Sequence, residues 1–230
     1  MEWKPIIPLL QQMEVHAQGE NELVQVNRIS SGFTCIGRGT DAAVFVHSDC
    51  PTYAFKLYAF GKDQKRKNEE KTYRKLRNNK YFPVFYEAGE RYLVMSYEKG
   101  INLYECLTEG IEIPKTVVLA VDKAIAYARG VGLNPRDIHL KNIILQEEGI
   151  KVIDVSEYVK DGNDKRWEHL KEGYRLYYPL IASKKIPPSF IEFVKKQYAK
   201  RDTFGFCVQK FGRFLLPLFR KRRRKGVSTL

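Results

Sequence analysis

The stretch Asn134-Pro-Arg-Asp-Ile-His-Leu-Lys-Asn-Ile-Ile-Leu145, followed by Ile150-Lys-Val-Ile-Asp-Val-Ser156, carries the residues on which the fold and the chemistry depend. Two short apolar runs flank Gln-Glu-Glu-Gly and predict a β-hairpin. The hairpin would bring Asn142 and Asp154 together at its open end, with Asp137 on the loop that leads into it. Two carboxylates and a carboxamide at one loop mouth suit Mg²⁺, with one carboxylate left to orient a hydroxyl.

The spacing Asp-x-x-x-x-Asn, followed by a strand and a second Asp, resembles the catalytic-loop and metal-binding pattern of the protein-kinase superfamily. The resemblance implies that Asp137 orients the acceptor hydroxyl, while Asn142 and Asp154 hold Mg²⁺ beside the phosphates of ATP. A polar loop beside an ordinary hairpin would show the same spacing. The hypothesis therefore depends on finding the other family motifs in the right order.

The stretch departs from the common family pattern at three places. Pro135-Arg136 stands where His-Arg is usual, His139 stands where a lysine is usual, and Val155-Ser156 stands where Phe-Gly is usual. The sequence Ile-Asp-Val-Ser most resembles the corresponding motif of the RIO group of atypical kinases. The histidine at position 139 instead resembles the residue found there in small-molecule phosphotransferases of the choline and aminoglycoside kinase type. The resemblance implies that His139 contacts the γ-phosphate in place of the lysine, and it leaves the role of Arg136 open.

A strand-like segment with a glycine-bearing turn begins at Phe33. Gly37-x-Gly39-x-x-Ala42-x-Val44 resembles the kinase glycine-rich loop, with alanine in place of the third glycine. Glycines let a backbone approach a polyphosphate closely, and the N–H groups of such a turn can cradle it. The resemblance implies that these four residues contact ATP, although an ordinary hairpin also accommodates Gly-x-Gly.

Lys56 lies inside the apolar strand-like segment Tyr53-Ala-Phe-Lys-Leu-Tyr58. A lysine in an apolar strand is costly unless its ammonium is paired. The kinase resemblance implies that Lys56 holds the α- and β-phosphates and pairs with a glutamate from a helix. The alternative is a lysine on an edge strand that points into water.

The helix that supplies the pairing glutamate is predicted within Asn68-Glu-Glu-Lys-Thr-Tyr-Arg-Lys-Leu76. Glu69, Tyr73 and Leu76 fall on one face at i, i+4 and i+7. We therefore expect Glu69 to be the partner of Lys56, with Glu70 as the alternative.

The segment Leu93-Val-Met-Ser-Tyr-Glu98 resembles the last strand of a kinase N-lobe and the hinge that follows it. The resemblance implies that Met95 lies at the back of the adenine pocket and that backbone groups of Ser96 and Glu98 bond the adenine edge. Met95 would otherwise simply fill the core. Residues 114–133 then show the clearest helical periodicity of the chain.

Length and composition allow a folded cytoplasmic protein. The chain has 230 residues, of which 43% are hydrophobic, and it contains neither a signal peptide pattern nor a long uncharged apolar run. Its four cysteines form no Cys-x-x-Cys pair, which favours free thiols over a disulfide framework or a zinc site.

The net charge of +13 is concentrated in two segments, since residues 62–80 and residues 220–225 each carry +6. The two segments predict salt-sensitive contact with nucleic acid, ribosomal RNA being favoured by the RIO resemblance, or with an anionic membrane surface. The apolar residues before the second segment are too few to span a bilayer and predict a final helix within 203–219.

We expect an α+β, two-lobed protein-kinase-like fold with a small five-stranded antiparallel N-lobe and a reduced, mainly helical C-lobe. The boundaries are a loosely defined N-terminal lead-in over 1–32 that can include one short helix, an N-lobe over 33–98, a C-lobe over 99–219 and a basic tail over 220–230. The function expected is ATP- and Mg²⁺-dependent phosphorylation of serine or threonine in a protein or in the chain itself. A small-molecule kinase and a nucleotide-binding switch with little transfer activity are the alternatives.

Overall fold

The computed structural model describes residues 2–19, 22–201 and 205–226. The N-terminal segment forms a 3-10 turn (Lys4–Ile6), helix α1 (Ile7–Gln11) and a hairpin of strands β1 (Glu14–His16) and β2 (Gln25–Arg28). This segment is more regular than the expected lead-in, because its apolar side chains recur every three or four residues along the turn and α1. These side chains form a core with one face of the following sheet, and they are Trp3, Ile6, Leu10, Met13, Val15 and Val24.

The five-stranded antiparallel sheet predicted for the N-lobe is present. Its strands are β3 (Phe33–Arg38), β4 (Ala42–His47), β5 (Cys50–Tyr58), β6 (Phe85–Ala88) and β7 (Tyr92–Ser96), in the order β3-β4-β5-β7-β6. Side chains alternate between the two faces of β5, so that Phe55 and Leu57 join the core of the N-terminal segment. Ala54 and Tyr58 join the larger core on the other face. Lys56, between them, shares that second face.

Helix α2 (Asp63–Leu76) packs on the second face of the sheet, against β6 and β7. Glu69, Tyr73 and Leu76 are all buried, which confirms the predicted helical face. The helix therefore turns one carboxylate inward, toward the strand that carries Lys56.

The following elements bring the stretch 134–156, which carries the predicted catalytic loop, beneath that face. They are β8 (Ile101–Asn102), α3 (Leu103–Glu109), α4 (Lys115–Gly130), a 3-10 turn (Leu140–Asn142), β9 (Ile143–Gln146) and β10 (Gly149–Val152). Asn102 and Glu105 form a capping box at the start of α3. The apolar stripe predicted for α4 is buried against β10, and it consists of Val117, Val118, Val121, Ala124, Ile125 and Ala128.

The predicted hairpin is present as β9 and β10, and its register pairs Ile143 with Val152. The turn between Gln146 and Gly149 contains two residues, Glu147 and Glu148. The backbone N–H of Ile153 donates to the carbonyl of Asn142 at 2.9 Å, which extends the pairing to the open end. Asn142 and Asp154 are thus held at neighbouring positions by backbone hydrogen bonds.

Three helices complete the chain: α5 (Arg166–Ile181), α6 (Pro188–Ala199) and α7 (Val208–Gly226). Helix α7 extends beyond the expected end at 219, so the backbone of the basic run 220–225 is helical, while 227–230 lie outside the described residues. Helix α7 packs on α5, where the Tyr177 hydroxyl donates to the Gln209 carbonyl at 2.9 Å. Among residues 2–19, 22–201 and 205–226, no helix has the length and apolar composition that a bilayer crossing requires.

Candidate active site

Lys56 and Glu69 form an ion pair inside the fold. Lys56 Nζ lies 2.6 Å from Glu69 Oε2, and the Tyr58 hydroxyl donates to the same oxygen. The Glu69 side chain is 1% exposed, and its other oxygen has no hydrogen-bond partner within the described part of the chain. Glu70 instead pairs with Arg66 and Arg74 of the same helix. The structure therefore pairs Lys56 with Glu69 and not with Glu70.

The charges in this pair stabilise one another against burial. Burial lowers the pKa of Lys56, but Asp154 and Glu69 outweigh that effect and hold the pKa above its usual value. Burial raises the pKa of Glu69, and the ammonium of Lys56 opposes the shift. Lys56 thus remains a cation on the inner face of the sheet, as a phosphate-binding group must.

Asp154 lies where the sheet and the β9–β10 hairpin meet. Its Oδ1 accepts hydrogen bonds from Lys56 Nζ at 3.2 Å and from Ser156 Oγ at 3.2 Å. Desolvation would raise the pKa of Asp154, but Lys56 outweighs it and lowers the pKa below its usual value. The carboxylate is therefore ionised at neutral pH, and its side chain is 46% exposed, which leaves it open to a cation.

Asn142 presents a carboxamide oxygen beside Asp154. Its side chain is buried, and its Nδ2 donates to the carbonyl of Asp137 at 3.3 Å. That hydrogen bond turns Oδ1 away from Asp137, and Oδ1 has no hydrogen-bond partner among the contacts described. Within the described ranges no three His, Cys, Asp or Glu residues cluster as a metal site. Two oxygen donors, one of them charged, fit Mg²⁺, which commonly binds one or two carboxylates and keeps several waters.

Asp137 has a backbone conformation that is uncommon for a residue other than glycine, with φ at +56°. Its N–H donates to Asp164 Oδ2 at 2.8 Å, which stabilises this conformation. Its carboxylate accepts a hydrogen bond from Arg166 at the start of α5. Burial raises the pKa of Asp137, and the charge of Arg166 opposes that shift.

His139 lies near Asp137, but its side chain makes no hydrogen bond or ion pair among the contacts described. Burial lowers the pKa of His139 below its ordinary value, although the charge of Asp137 opposes the shift. The imidazole is therefore mostly neutral at pH 7. The structure does not place a fixed positive charge at His139.

The glycine-bearing turn lies between β3 and β4. The N–H of Gly39 donates to the carbonyl of Ala42 at 2.9 Å, so that this donor is already committed within the turn. A Cβ at Gly37 would meet no atom within 4 Å, which leaves open space beside the backbone there. Neither glycine has a positive φ, so close approach by a ligand, rather than backbone conformation, is the advantage that glycine offers. Ala42 is buried and Val44 is partly buried beneath the turn.

The predicted hinge residues follow β7. Met95 is buried and accepts a weak hydrogen bond at sulfur from Tyr73, 3.8 Å away. The N–H of Ser96 donates to the carbonyl of Val84 at 2.8 Å, so only the Ser96 carbonyl could bond an adenine edge. The contacts described include none to the backbone of Glu98. The Ser96 N–H is therefore committed within the sheet, and adenine bonding by the Ser96 carbonyl and the backbone of Glu98 stays a prediction.

The segment after Asp154 contributes residues that the motifs did not indicate. Asn134 Nδ2 donates to the carbonyls of Lys160 and Gly162, both at 2.7 Å, and Arg136 donates to the carbonyl of Asp161. The segment therefore lies along the catalytic loop. This contact delivers Asp164 and Arg166 to Asp137, which is 27 and 29 residues away in sequence.

Comparisons with known proteins identify a relative of the chain. No protein-family model matches the chain. The chain is 36% identical over 183 residues to the protein named "Putative serine/threonine-protein kinase YrzF" of Bacillus subtilis (strain 168). That match covers 78% of this chain and 85% of the relative.

Among solved structures, a similar chain comes from the "Co-crystal structure of WbdD and kinase inhibitor LY294002". Its TM-score is 0.48 and its sequence identity is 16%. The superposition covers 96% of this chain and 56% of that chain, so this chain spans little more than half of that protein.

Proposed function

The chain belongs to the protein-kinase-like superfamily, and from that premise we propose that it transfers the γ-phosphoryl group of ATP to a serine or threonine hydroxyl. The observation that carries the proposal is the convergence of Lys56, Asp154 and Asn142. They present an ammonium, a carboxylate and a free carboxamide oxygen, with Asp137 adjoining. Phosphoryl transfer depends chiefly on positioning and charge neutralisation, which such a set provides.

In this proposal the N-lobe binds ATP. Lys56, held by Glu69, would contact the α- and β-phosphates, and the turn that contains Gly37 and Gly39 would cover them. Met95 would close the back of the adenine pocket, while the Ser96 carbonyl and the backbone of Glu98 would bond the adenine edge. Ala42 and Val44 would complete the apolar surface beneath the turn.

Asn142 and Asp154 would hold Mg²⁺. The fit rests on the lowered pKa of Asp154 and on Oδ1 of Asn142, which has no hydrogen-bond partner among the described residues. When bound, Mg²⁺ would neutralise charge on the phosphate oxygens. Replacing Asp154 with Ala removes the charged donor, so we expect ATP binding to lose its Mg²⁺ dependence. Unchanged ATP affinity with and without Mg²⁺ in that variant would exclude Asp154 from the metal site.

Asp137 would orient the acceptor. The oxygen of the acceptor hydroxyl forms a bond to the γ-phosphorus, and the bond from that phosphorus to the β,γ-bridging oxygen breaks. ADP leaves with the electron pair. Asp137 accepts the hydroxyl proton and releases it to solvent, which avoids a charged intermediate on the acceptor.

We further propose that the acceptor is a serine or threonine and that the kinase is of the RIO-like type. The relative's name supports serine or threonine as the acceptor. Ser156, where glycine is usual in kinases, donates to Asp154 and so stabilises the RIO-like Asp-Val-Ser turn. A protein substrate or autophosphorylation in the cytoplasm is the version we favour over a small-molecule acceptor or a nucleotide-binding switch.

Contact with nucleic acid is proposed for the basic run 220–225 more than for α2. Four cations in residues 62–80 form ion pairs within the molecule: Lys62 and Lys65 contact Asp41, and Arg66 and Arg74 contact Glu70. Ion pairs of this kind reduce the positive field that a polyanion would meet.

The test uses ATP labelled at the γ-phosphate and, as a control, ATP labelled at the α-phosphate. We expect only the γ-label to move, in the presence of Mg²⁺, to serine or threonine of the chain or of dephosphorylated casein. Label that moves only to water or to a small molecule would contradict the protein-kinase proposal. No movement of label would favour the switch.

A further inference from the structure

Arg166 places its guanidinium on the carboxylate that the proposed reaction uses. Its Nη1 donates to Asp137 Oδ1, and Arg166 is the first residue of α5. The other cation of the site, Lys56, is engaged by Glu69 and Asp154 on the inner face of the sheet. In the described part of the chain, Arg166 is thus the cation in contact with Asp137.

Hydrogen bonds from two backbone N–H groups to the Asp164 carboxylate fix the start of α5 to the catalytic loop, so the contact of Arg166 with Asp137 does not depend on one long side chain alone. Asp164 Oδ2 accepts from the N–H of Asp137 at 2.8 Å, while Asp164 Oδ1 accepts from the N–H of Arg166 at 3.0 Å. Arg201, which follows α6, donates from Nη2 to the carbonyl of Asp164 at 3.1 Å and so also holds the segment that carries Asp164. One carboxylate therefore sets the position of Arg166 relative to Asp137.

Stability does not account for this arrangement. The side chains of Arg166 and Asp137 are 41% and 33% exposed, and an ion pair in such surroundings contributes little to folding. Both charges are also accessible to a substrate. An acceptor hydroxyl bound to Asp137 would lie next to Arg166, because both contact the same carboxylate. Arg166 would then also lie beside the phosphorus that the hydroxyl attacks.

The transferring phosphoryl group carries negative charge toward the carboxylate of Asp137, and a nearby cation is needed to offset their repulsion. Arginine suits this position because its planar guanidinium remains charged and offers several donors, so that it can bridge a carboxylate and a phosphoryl oxygen. His139, for which the sequence suggested this contact, makes no hydrogen bond or ion pair among the contacts described.

We propose that Arg166, rather than His139, is the cation that bonds the transferring phosphoryl group while it holds Asp137. The assignment rests on the proposed kinase function. As the acceptor oxygen bonds to phosphorus and ADP departs, Arg166 stabilises the charge on the phosphoryl oxygens. The hydroxyl proton passes to Asp137, and no other co-reactant is required.

The experiment compares the wild-type chain with Arg166→Ala, Arg166→Lys and Arg175→Ala. Arg175 is an exposed arginine on the same helix and provides the matched control. The maximal rate of γ-label transfer and the KM for ATP are measured, with thermal unfolding as a check of folding. Free guanidinium ion is then added to each variant.

We expect Arg166→Ala to lower the maximal rate by about 10²–10³-fold while the KM for ATP changes by less than about threefold. Arg166→Lys should recover part of the rate, and guanidinium should raise the rate of Arg166→Ala alone. A rate in Arg166→Ala equal to that of Arg175→Ala would overturn the assignment and leave the kinase function intact. A faster Arg166→Ala would also overturn it, since Arg166 would then be a blocking group. A wild-type chain that transfers no label would overturn the kinase function and this role together.

Discussion

Lys65 of α2 forms an ion pair with Glu157, three residues beyond Asp154. Glu157 also pairs with Lys160 at 2.7 Å, and Lys65 lies 3.6 Å from Asp41 in the turn after β3. Burial would raise the pKa of Glu157, but Lys160 and Lys65 lower it below its usual value. The helix that carries Glu69 is therefore tied both to the proposed phosphate-covering turn and to the segment that carries Asp154.

Replacing Lys65 with Gln should loosen this connection with little loss of stability. The pair is partly exposed, so we expect the free energy of unfolding to fall by about 0–1 kcal/mol. Transfer should fall more than stability, by about two- to tenfold, because a modest misplacement of α2 moves Glu69 relative to Asp154. Lys71→Gln, an exposed change on the same helix, is the control. Equal transfer by both variants would show that the connection does not position the site.

The buried pair of Lys56 and Glu69 should show strong coupling. Lys56→Met leaves Glu69 without its counter-charge, and we expect the free energy of unfolding to fall by about 2–4 kcal/mol. The double variant Lys56→Met/Glu69→Gln should be more stable than Lys56→Met alone, because no charge is then left buried. Urea unfolding of the wild type, Lys56→Met, Glu69→Gln and the double variant measures the coupling free energy between Lys56 and Glu69. Additive losses would mean that Lys56 and Glu69 do not interact in solution.

The substitution Gly212→Ala tests whether α7 packs against α5. A Cβ at Gly212 would lie 2.1 Å from the ring of Tyr177, so Gly212→Ala should lower the free energy of unfolding by about 1–3 kcal/mol. Gly173 in α5 has no atom within 4 Å of the same added group, and Gly173→Ala should raise stability by about 0.5–1 kcal/mol. If α7 packs on α5 as described, thermal unfolding will show a lower melting temperature for Gly212→Ala and a higher one for Gly173→Ala. A stabilising Gly212→Ala would place α7 elsewhere.

The catalytic stretch was predictable because its geometry is local. A two-residue turn and two apolar runs suffice to bring Asn142 beside Asp154, and the positions i, i+4 and i+7 suffice to turn Glu69 inward. Arg166 could not be found in this way. Its contact with Asp137 spans 29 residues and depends on how the segment after Asp154 folds back, which no periodicity records.

The N-terminal segment was difficult to predict for a different reason. Trp3 and Leu10 belong to elements of only a few residues, too short for a hydrophobic period to stand out, yet both are buried on the outer face of the sheet. The extent of α7 was missed because the run of basic residues suggested a separate tail. Helix formation requires only backbone hydrogen bonds there, and lysine and arginine are good helix formers.

The basic run should govern contact with polyanions. Removing residues 220–230 should leave ATP affinity unchanged and weaken retention on single-stranded RNA at low salt, with a shallower salt dependence because fewer phosphate contacts are made. Lys67→Gln/Lys71→Gln on α2 should have a smaller effect. If the truncated chain loses retention on anionic vesicles but keeps it on RNA, the run contacts membranes instead. Retention on both that survives truncation would contradict a contact role.

We propose that Asp137 acts on the acceptor while Lys56 and the glycine-bearing turn bind ATP. Asp137→Asn preserves the size of the side chain and one acceptor oxygen but removes the carboxylate that accepts the proton. The decisive measurement is the rate of γ-label transfer in this variant, together with its affinity for ATP and Mg²⁺. We expect transfer to fall by about 10²–10⁴-fold with ATP affinity unchanged within about twofold. If Asp137→Asn transfers label at the wild-type rate, Asp137 does not act on the acceptor hydroxyl.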